Sequence, residues 1–123
     1  MIKLDHLAIF VSNVQRSREW YVSVLGLDVE FEVPDSNTIA LQDDFGFTLF
    51  IGERPEGDIT PSCVMTFQVG DVEASYEELS AKGVPFKESP KKLSWGYGAE
   101  LEDPDGYVVC LWDEFSMREN SGS

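Results

Sequence analysis

The feature that most constrains this chain is that its two halves repeat one another. At an offset of 58 residues Val11 meets Val69, Asn13 meets Asp71, Val14 meets Val72, Ser17 meets Ser75 and Glu19 meets Glu77. With one residue deleted, Leu25-Gly26-Leu27 then meets Lys82-Gly83-Val84. This spacing is longer than a solenoid or propeller period, so it indicates one supersecondary module used twice.

The order of elements within each copy follows from periodicity and punctuation. Leu4 to Val11 is an apolar run of strand length, with Leu7, Ile9 and Val11 on one face and His6, Ala8 and Phe10 on the other. Asn13 is placed to cap a helix from Val14 to Leu25, and Gly26 stops it because glycine takes the left-handed conformation without steric cost. Strands follow at about 28–33, 38–42 and 47–52, separated by Pro34-Asp35-Ser36-Asn37 and Asp43-Asp44-Phe45-Gly46. The second copy restarts with a strand at 64–69, a helix over 72–82 capped by Asp71 and stopped by Gly83, and strands near 85–88, 97–102 and 107–113. Asp103-Pro104-Asp105-Gly106 marks a tight hairpin between the last two.

The expected architecture is α+β: two tandem βαβββ modules, about 1–53 and 62–115, joined by a Pro/Gly-bearing linker at 54–61. A chain of 123 residues has room for one such domain, and the polar residues 116–123 read as a loose tail. Twenty-three acidic against nine basic residues give a formal charge of −14, which argues against nucleic acid and anionic membranes and would attract a cationic ligand. An acidic surface is also common in soluble proteins that bind nothing cationic. Two cysteines outside any C-x-x-C pair, no secretory leader and no long apolar stretch lead to the expectation of a cytoplasmic protein with free thiols.

Two stretches carry a family resemblance: L-D-H-L-A-I-F-V-S-N-V with R-E-W-Y-V-S-V-L-G-L, from Leu4 to Leu27, and W-G-Y-G-A-E-L-E-D-P-D-G-Y-V-V-C-L-W, from Trp95 to Trp112. In these the chain resembles the vicinal oxygen chelate superfamily, which includes glyoxalase I, extradiol dioxygenases and bleomycin-resistance proteins. The resemblance implies that each module's strands form half of an open, curled mixed sheet around a ligand groove, with the helices outside. It also implies a homodimer.

Metal-dependent members of that family place four ligands on groove-facing strand positions, two per module, usually His and Glu or Gln. Carried onto this chain, these positions fall on His6, Thr48, Val64 and Cys110. Only His6 keeps one of the family's usual ligand types, and with Cys110 it would give two donors at most, so no cofactor is expected and a divalent metal is disfavoured. An unorthodox site drawing on Gln68, Glu100 or Glu102 is the alternative. His6, the only histidine, reads either as a proton carrier or hydrogen-bond donor to a ligand, or as a residual groove residue. Cys110 reads as a small buried thiol unless a base activates it.

The ligand-binding residues expected to line the groove are His6, Phe10, Thr48, Phe50, Val64, Thr66, Gln68, Trp95, Tyr97, Cys110 and Trp112. Aromatic rings there would bind a planar or cationic molecule by stacking and cation–π contacts, although such rings also serve as ordinary core. The favoured function is a non-enzymatic small-molecule-binding protein resembling the bleomycin-resistance branch. The alternatives are a metal-dependent lyase, isomerase or dioxygenase with a reassigned site, and an accessory or regulatory subunit.

Overall fold

The computed structural model describes residues 1–120, which divide into two compact units, Met1–Thr60 and from Pro61 onward. The first unit runs β1 (His6–Val11), α1 (Val14–Leu25), β2 (Asp28–Val33), β3 (Thr38–Gln42) and β4 (Thr48–Glu53). Its four-stranded sheet has the order β1-β4-β3-β2, with β1 and β4 parallel and the other pairs antiparallel. The second unit runs β5 (Val64–Gln68), α2 (Val72–Ala81), β6 (Glu88–Leu93), β7 (Gly96–Glu102), β8 (Val108–Trp112) and α3 (Glu114–Glu119). Its sheet order, β5-β8-β7-β6, and its strand directions repeat those of the first. The fold is therefore α+β with two mixed sheets, as the duplication implies. Among the described residues no helix is long and apolar enough to cross a membrane.

Each helix covers one face of its own sheet. In the first unit Ile9, Val11, Ile39, Leu41, Leu49 and Ile51 are buried together with Val14 and Tyr21 of α1. In the second, Met65, Ala99, Leu101, Val109 and Leu111 are buried with Val72 and Leu79 of α2. Burying an aliphatic side chain of this size stabilises by about 1.5–3 kcal/mol, so these rows supply the main driving force for each sheet–helix layer.

Polar contacts set where each helix starts. Asn13 Oδ1 accepts from the Arg16 N–H at 2.9 Å, and Asp71 Oδ1 accepts from the Ala74 N–H at 3.0 Å. A second carboxylate reaches each helix from the end of the module's last strand. Glu53 Oε1 accepts from the Val14 N–H at 3.0 Å, and Asp113 Oδ2 accepts from the Val72 N–H at 2.7 Å. The turns before β4 and β8 are also copies. Asp43 Oδ1 accepts from the N–H groups of Phe45 and Phe47, and Asp103 Oδ1 from those of Asp105 and Tyr107, each at 2.9 Å. Gly46 and Gly106 follow at φ of 88° and 93°, a conformation that favours glycine.

Three expectations from the sequence are corrected. The first strand begins at His6 rather than Leu4, so Leu4 and Asp5 precede the sheet. The strand expected near 85–88 lies at Glu88–Leu93. Phe86 packs edge-on against Tyr76 of α2 at 4.8 Å, so the segment after Gly83 closes over the helix before pairing begins. Pro90 can stand inside β6 because this is an edge strand whose pairing with β7 is interrupted between Glu88 and Lys91. Finally, α3 occupies Glu114–Glu119, where the loose tail was expected to begin at residue 116. Asp113 caps it by accepting from the Ser116 N–H and hydroxyl, and Met117 packs at Gly96 and Tyr97 of β7. Residues 121–123 of that tail lie outside the described residues.

Asp113 is thus shared by α2, β8 and α3. Burial pushes its carboxyl up, but the donors from Ser116, Val72 and Phe115 outweigh burial and hold it below the ordinary carboxylate value. Because the folded value lies below the unfolded one, this contribution is fully present above the unfolded value of about 3.9 and is lost as pH falls through the folded value. Asp113→Asn is expected to lower stability at pH 7 by about 2–4 kcal/mol, since a buried charged acceptor is replaced by an amide. Urea midpoints measured from pH 7 to pH 3 should show this loss at neutral pH. They should also show a shallower decline below pH 4 in the variant than in the parent.

Candidate functional site

The sheet register decides which side chains stand on the face away from α1. His6 lies opposite Thr48 and Thr48 opposite Gln42; Ala8 opposite Phe50 and Phe50 opposite Ala40; Phe10 opposite Gly52 and Gly52 opposite Thr38. Directly opposed residues share a face, so His6, Thr48, Phe50 and Phe10 form one open row beside small neighbours. Phe50 sits at the centre of three rings. The His6 imidazole meets it edge-on with centroids 4.7 Å apart, and the Phe31 ring meets it edge-on at 5.7 Å. Phe10 lies over Gly52, with the Arg54 guanidinium 4.3 Å above its centroid.

Glu30 and Phe31 on this face were missed by the sequence reading, and one backbone irregularity explains Phe31. Val29 pairs with Leu41, but Phe31 pairs with Ala40, so Glu30 is an extra residue in a β-bulge. Before the bulge Val29 shares the helix side with Leu41. After it Phe31 and Val33 stand on the open side, and Glu32 turns to the helix side, where Arg18 Nε is 3.7 Å away. Glu30 itself accepts a hydrogen bond from Thr48 Oγ1 at 2.8 Å across the open face. Simple alternation through D-V-E-F-E-V would place Val29, Phe31 and Val33 together. The only sequence hint is acids alternating with apolar residues on a strand that must pack one face against a helix.

In the second unit the open face carries Val64, Thr66 and Gln68 of β5, Cys110 and Trp112 of β8, and Glu100 of β7, with Thr66 opposite Cys110 and Cys110 opposite Glu100. Trp95 Nε1 donates to Glu100 Oε2 at 2.7 Å, and its ring lies where a side chain at residue 98 would stand. Gly98 thereby makes room for the indole. Tyr97 departs from expectation. It shares the helix side with Ala99 and Leu101, and its hydroxyl donates to Glu73 of α2, whose carboxylate pushes the phenol up. The same alternation that places Glu100 and Cys110 on the open face sends Tyr97 to the other.

The thiols are free and Cys110 is buried. Burial, with Glu100 beside it, pushes the Cys110 thiol up, and burial with Asp103 does the same at Cys63. Both shifts disfavour the thiolate that a nucleophile needs. His6 Nδ1 is 3.0 Å from Asp5 Oδ2, and that contact holds the Asp5 carboxyl below its usual range.

The register also corrects the mapping of the family's ligand positions. Gly46 and Gly106 occupy the same turn position, and β4 and β8 follow them in step. His6–Thr48 matches Val64–Val108, and Ala8–Phe50 matches Thr66–Cys110. The first-module counterpart of Cys110 is therefore Phe50, not Thr48. A set of His6, Phe50, Val64 and Cys110 offers one imidazole and one buried thiol, while phenyl and isopropyl groups have no donor atom. These residues do not fit a four-ligand metal centre. Among the described residues no three His, Cys, Asp or Glu side chains are grouped so that they could hold a metal.

Comparison with known proteins agrees with this architecture. The uncharacterized protein YraH of Bacillus subtilis (strain 168) is 26% identical over 125 residues, covering 90% of this chain and 98% of its own length. Among solved structures, TnmS3, an antibiotic binding protein from Streptomyces sp. CB03234, superposes with a TM-score of 0.76 at 24% identity, covering 91% of this chain and 96% of that one. A lactoylglutathione lyase from Agrobacterium tumefaciens superposes with a TM-score of 0.73 at 14% identity, covering 92% and 94%. At such identities the structures share the fold alone. The model of one family, however, matches residues 3–111, nearly the whole of the duplicated region, and by that match the chain belongs to the Glyoxalase/Bleomycin resistance protein/Dioxygenase superfamily.

Proposed function

We propose that this protein binds or sequesters a small planar or cationic organic molecule, without a resident metal and without catalysing its conversion. The observation that carries the reading is Phe50. A phenyl ring stands where the duplication places the counterpart of Cys110, and it joins His6 and Phe31 in an edge-to-face cluster on an open sheet face. Phe31 keeps 43% of its surface exposed and Phe10 46%, so apolar ring area is available to a ligand. That TnmS3 is an antibiotic binding protein is in keeping with the same use of the fold. The charge of −14 favours a cation over an anion.

His6, Phe10, Thr48 and Phe50 serve this role on the first module, and Val64, Thr66, Gln68, Trp95, Cys110 and Trp112 on the second. The protein acts in the cytoplasm, in keeping with its free thiols, and as a homodimer, which rests on the family resemblance; sedimentation equilibrium that returns only monomer at micromolar concentration would remove the dimer. The binding claim is tested with acridone, a neutral planar fluorophore, followed by anisotropy. The parent protein is expected to bind it equally well with and without EDTA. Phe31→Ala and Phe50→Ala are each expected to weaken it about 3- to 10-fold, the worth of one aromatic contact. Absence of binding both of acridone and of the planar cation proflavine, or binding that EDTA abolishes, contradicts the proposal.

A further inference from the structure

The bulge in β2 re-aims Phe31 onto the side of the first module's sheet that already carries the Glu30 carboxylate. We infer that Glu30 is the residue that selects for positive charge in the ligand. It is the counter-ion for a cationic group whose planar body stacks on Phe31 and Phe50. This inference rests on the small-molecule reading above and narrows it from planar or cationic to planar and cationic.

The surroundings of Glu30 separate it from Glu32, Asp43, Glu53 and Asp5 of the same module. Glu32, two residues on, is turned to the helix side and meets Arg18. Asp43 is committed to the turn before β4, and Glu53 accepts from the Val14 N–H and from Asn37 Nδ2. Asp5 holds His6. Glu30 instead accepts from the neutral Thr48 hydroxyl, which orients one carboxylate oxygen without cancelling the charge. Thr48 is also the β4 residue opposite His6, so the carboxylate is drawn toward the strand row that carries the Phe50 ring. An oriented anion beside exposed rings is the arrangement that recognises organic cations, because ring faces attract positive charge and the carboxylate neutralises it. A negative net charge alone would attract any cation weakly and without regard to shape.

The test compares proflavine, a planar tricyclic cation, with neutral acridone in the parent, Glu30→Gln and Glu32→Gln. Glu32→Gln changes net charge equally but lies on the helix side. Glu30→Gln is expected to weaken proflavine about tenfold and to flatten its salt dependence, with acridone changed less than twofold. Glu32→Gln is expected to leave both probes within twofold of the parent. The inference is overturned if Glu30→Gln leaves proflavine unaffected, or weakens both probes alike, or if Glu32→Gln matches it. It is also overturned if the parent binds acridone but not proflavine, in which case the small-molecule reading stands. A parent that binds neither probe removes both.

Discussion

The rest of this structure depends on the carboxylate that closes each module. A helix start leaves backbone N–H groups without partners, and in both modules one of these is taken by an acid from the far end of the last strand. Glu53 does this for Val14 and Asp113 for Val72. Each contact spans about forty residues of chain, so it fixes which face of the sheet the helix covers. With one face committed to the helix, the opposite face carries the side chains that a ligand can meet. The bond at Asp113 is drawn further into the structure than its copy, because the same side chain also caps α3 through Ser116.

Given that division, small changes of register decide chemistry. Without the bulge at Glu30, Phe31 and Val33 would be directed under α1 and Glu32 toward the open side. With it, the first module's open face gains the Phe31 ring beside Glu30, while Arg18 receives Glu32 on the helix side. In the second module β7 keeps strict alternation past Gly96. Glu100 therefore faces Cys110 and Trp95, and Tyr97 is left to α2. The two copies share a backbone plan yet present unlike surfaces, one rich in phenyl rings and one carrying Thr66, Gln68, Glu100 and two indoles.

Much of this was legible in the chain because it is encoded locally and twice. The caps at Asn13 and Asp71, the stops at Gly26 and Gly83, and strands 28–33 and 38–42 all fall where short-range rules place them. What was not legible depends on pairing between distant residues. The position of β6 is set by its partner β7 and by Phe86 packing on Tyr76, neither of which alternation reports. The bulge hid Phe31, because an inserted residue reverses the faces of everything after it. The second ligand position was misplaced on Thr48, although Asp43-x-x-Gly46 and Asp103-x-x-Gly106 already align Phe50 with Cys110. Residues 116–119 of the last helix read as tail because that helix is held by Asp113 and Met117 contacts rather than by its own six residues.

The central claim is that this duplicated scaffold presents rings and hydrogen-bonding groups where relatives of the chelate type present metal ligands. It is tested most directly by the metal content of purified protein after incubation with Ni²⁺, Zn²⁺, Mn²⁺ and Fe²⁺ and dialysis, read by plasma mass spectrometry beside thermal melts. The account predicts less than about 0.1 metal per chain and an unchanged melting temperature, since a bound ion would stabilise the folded state. A stoichiometric metal that raises the melting temperature and is lost in His6→Ala would contradict it.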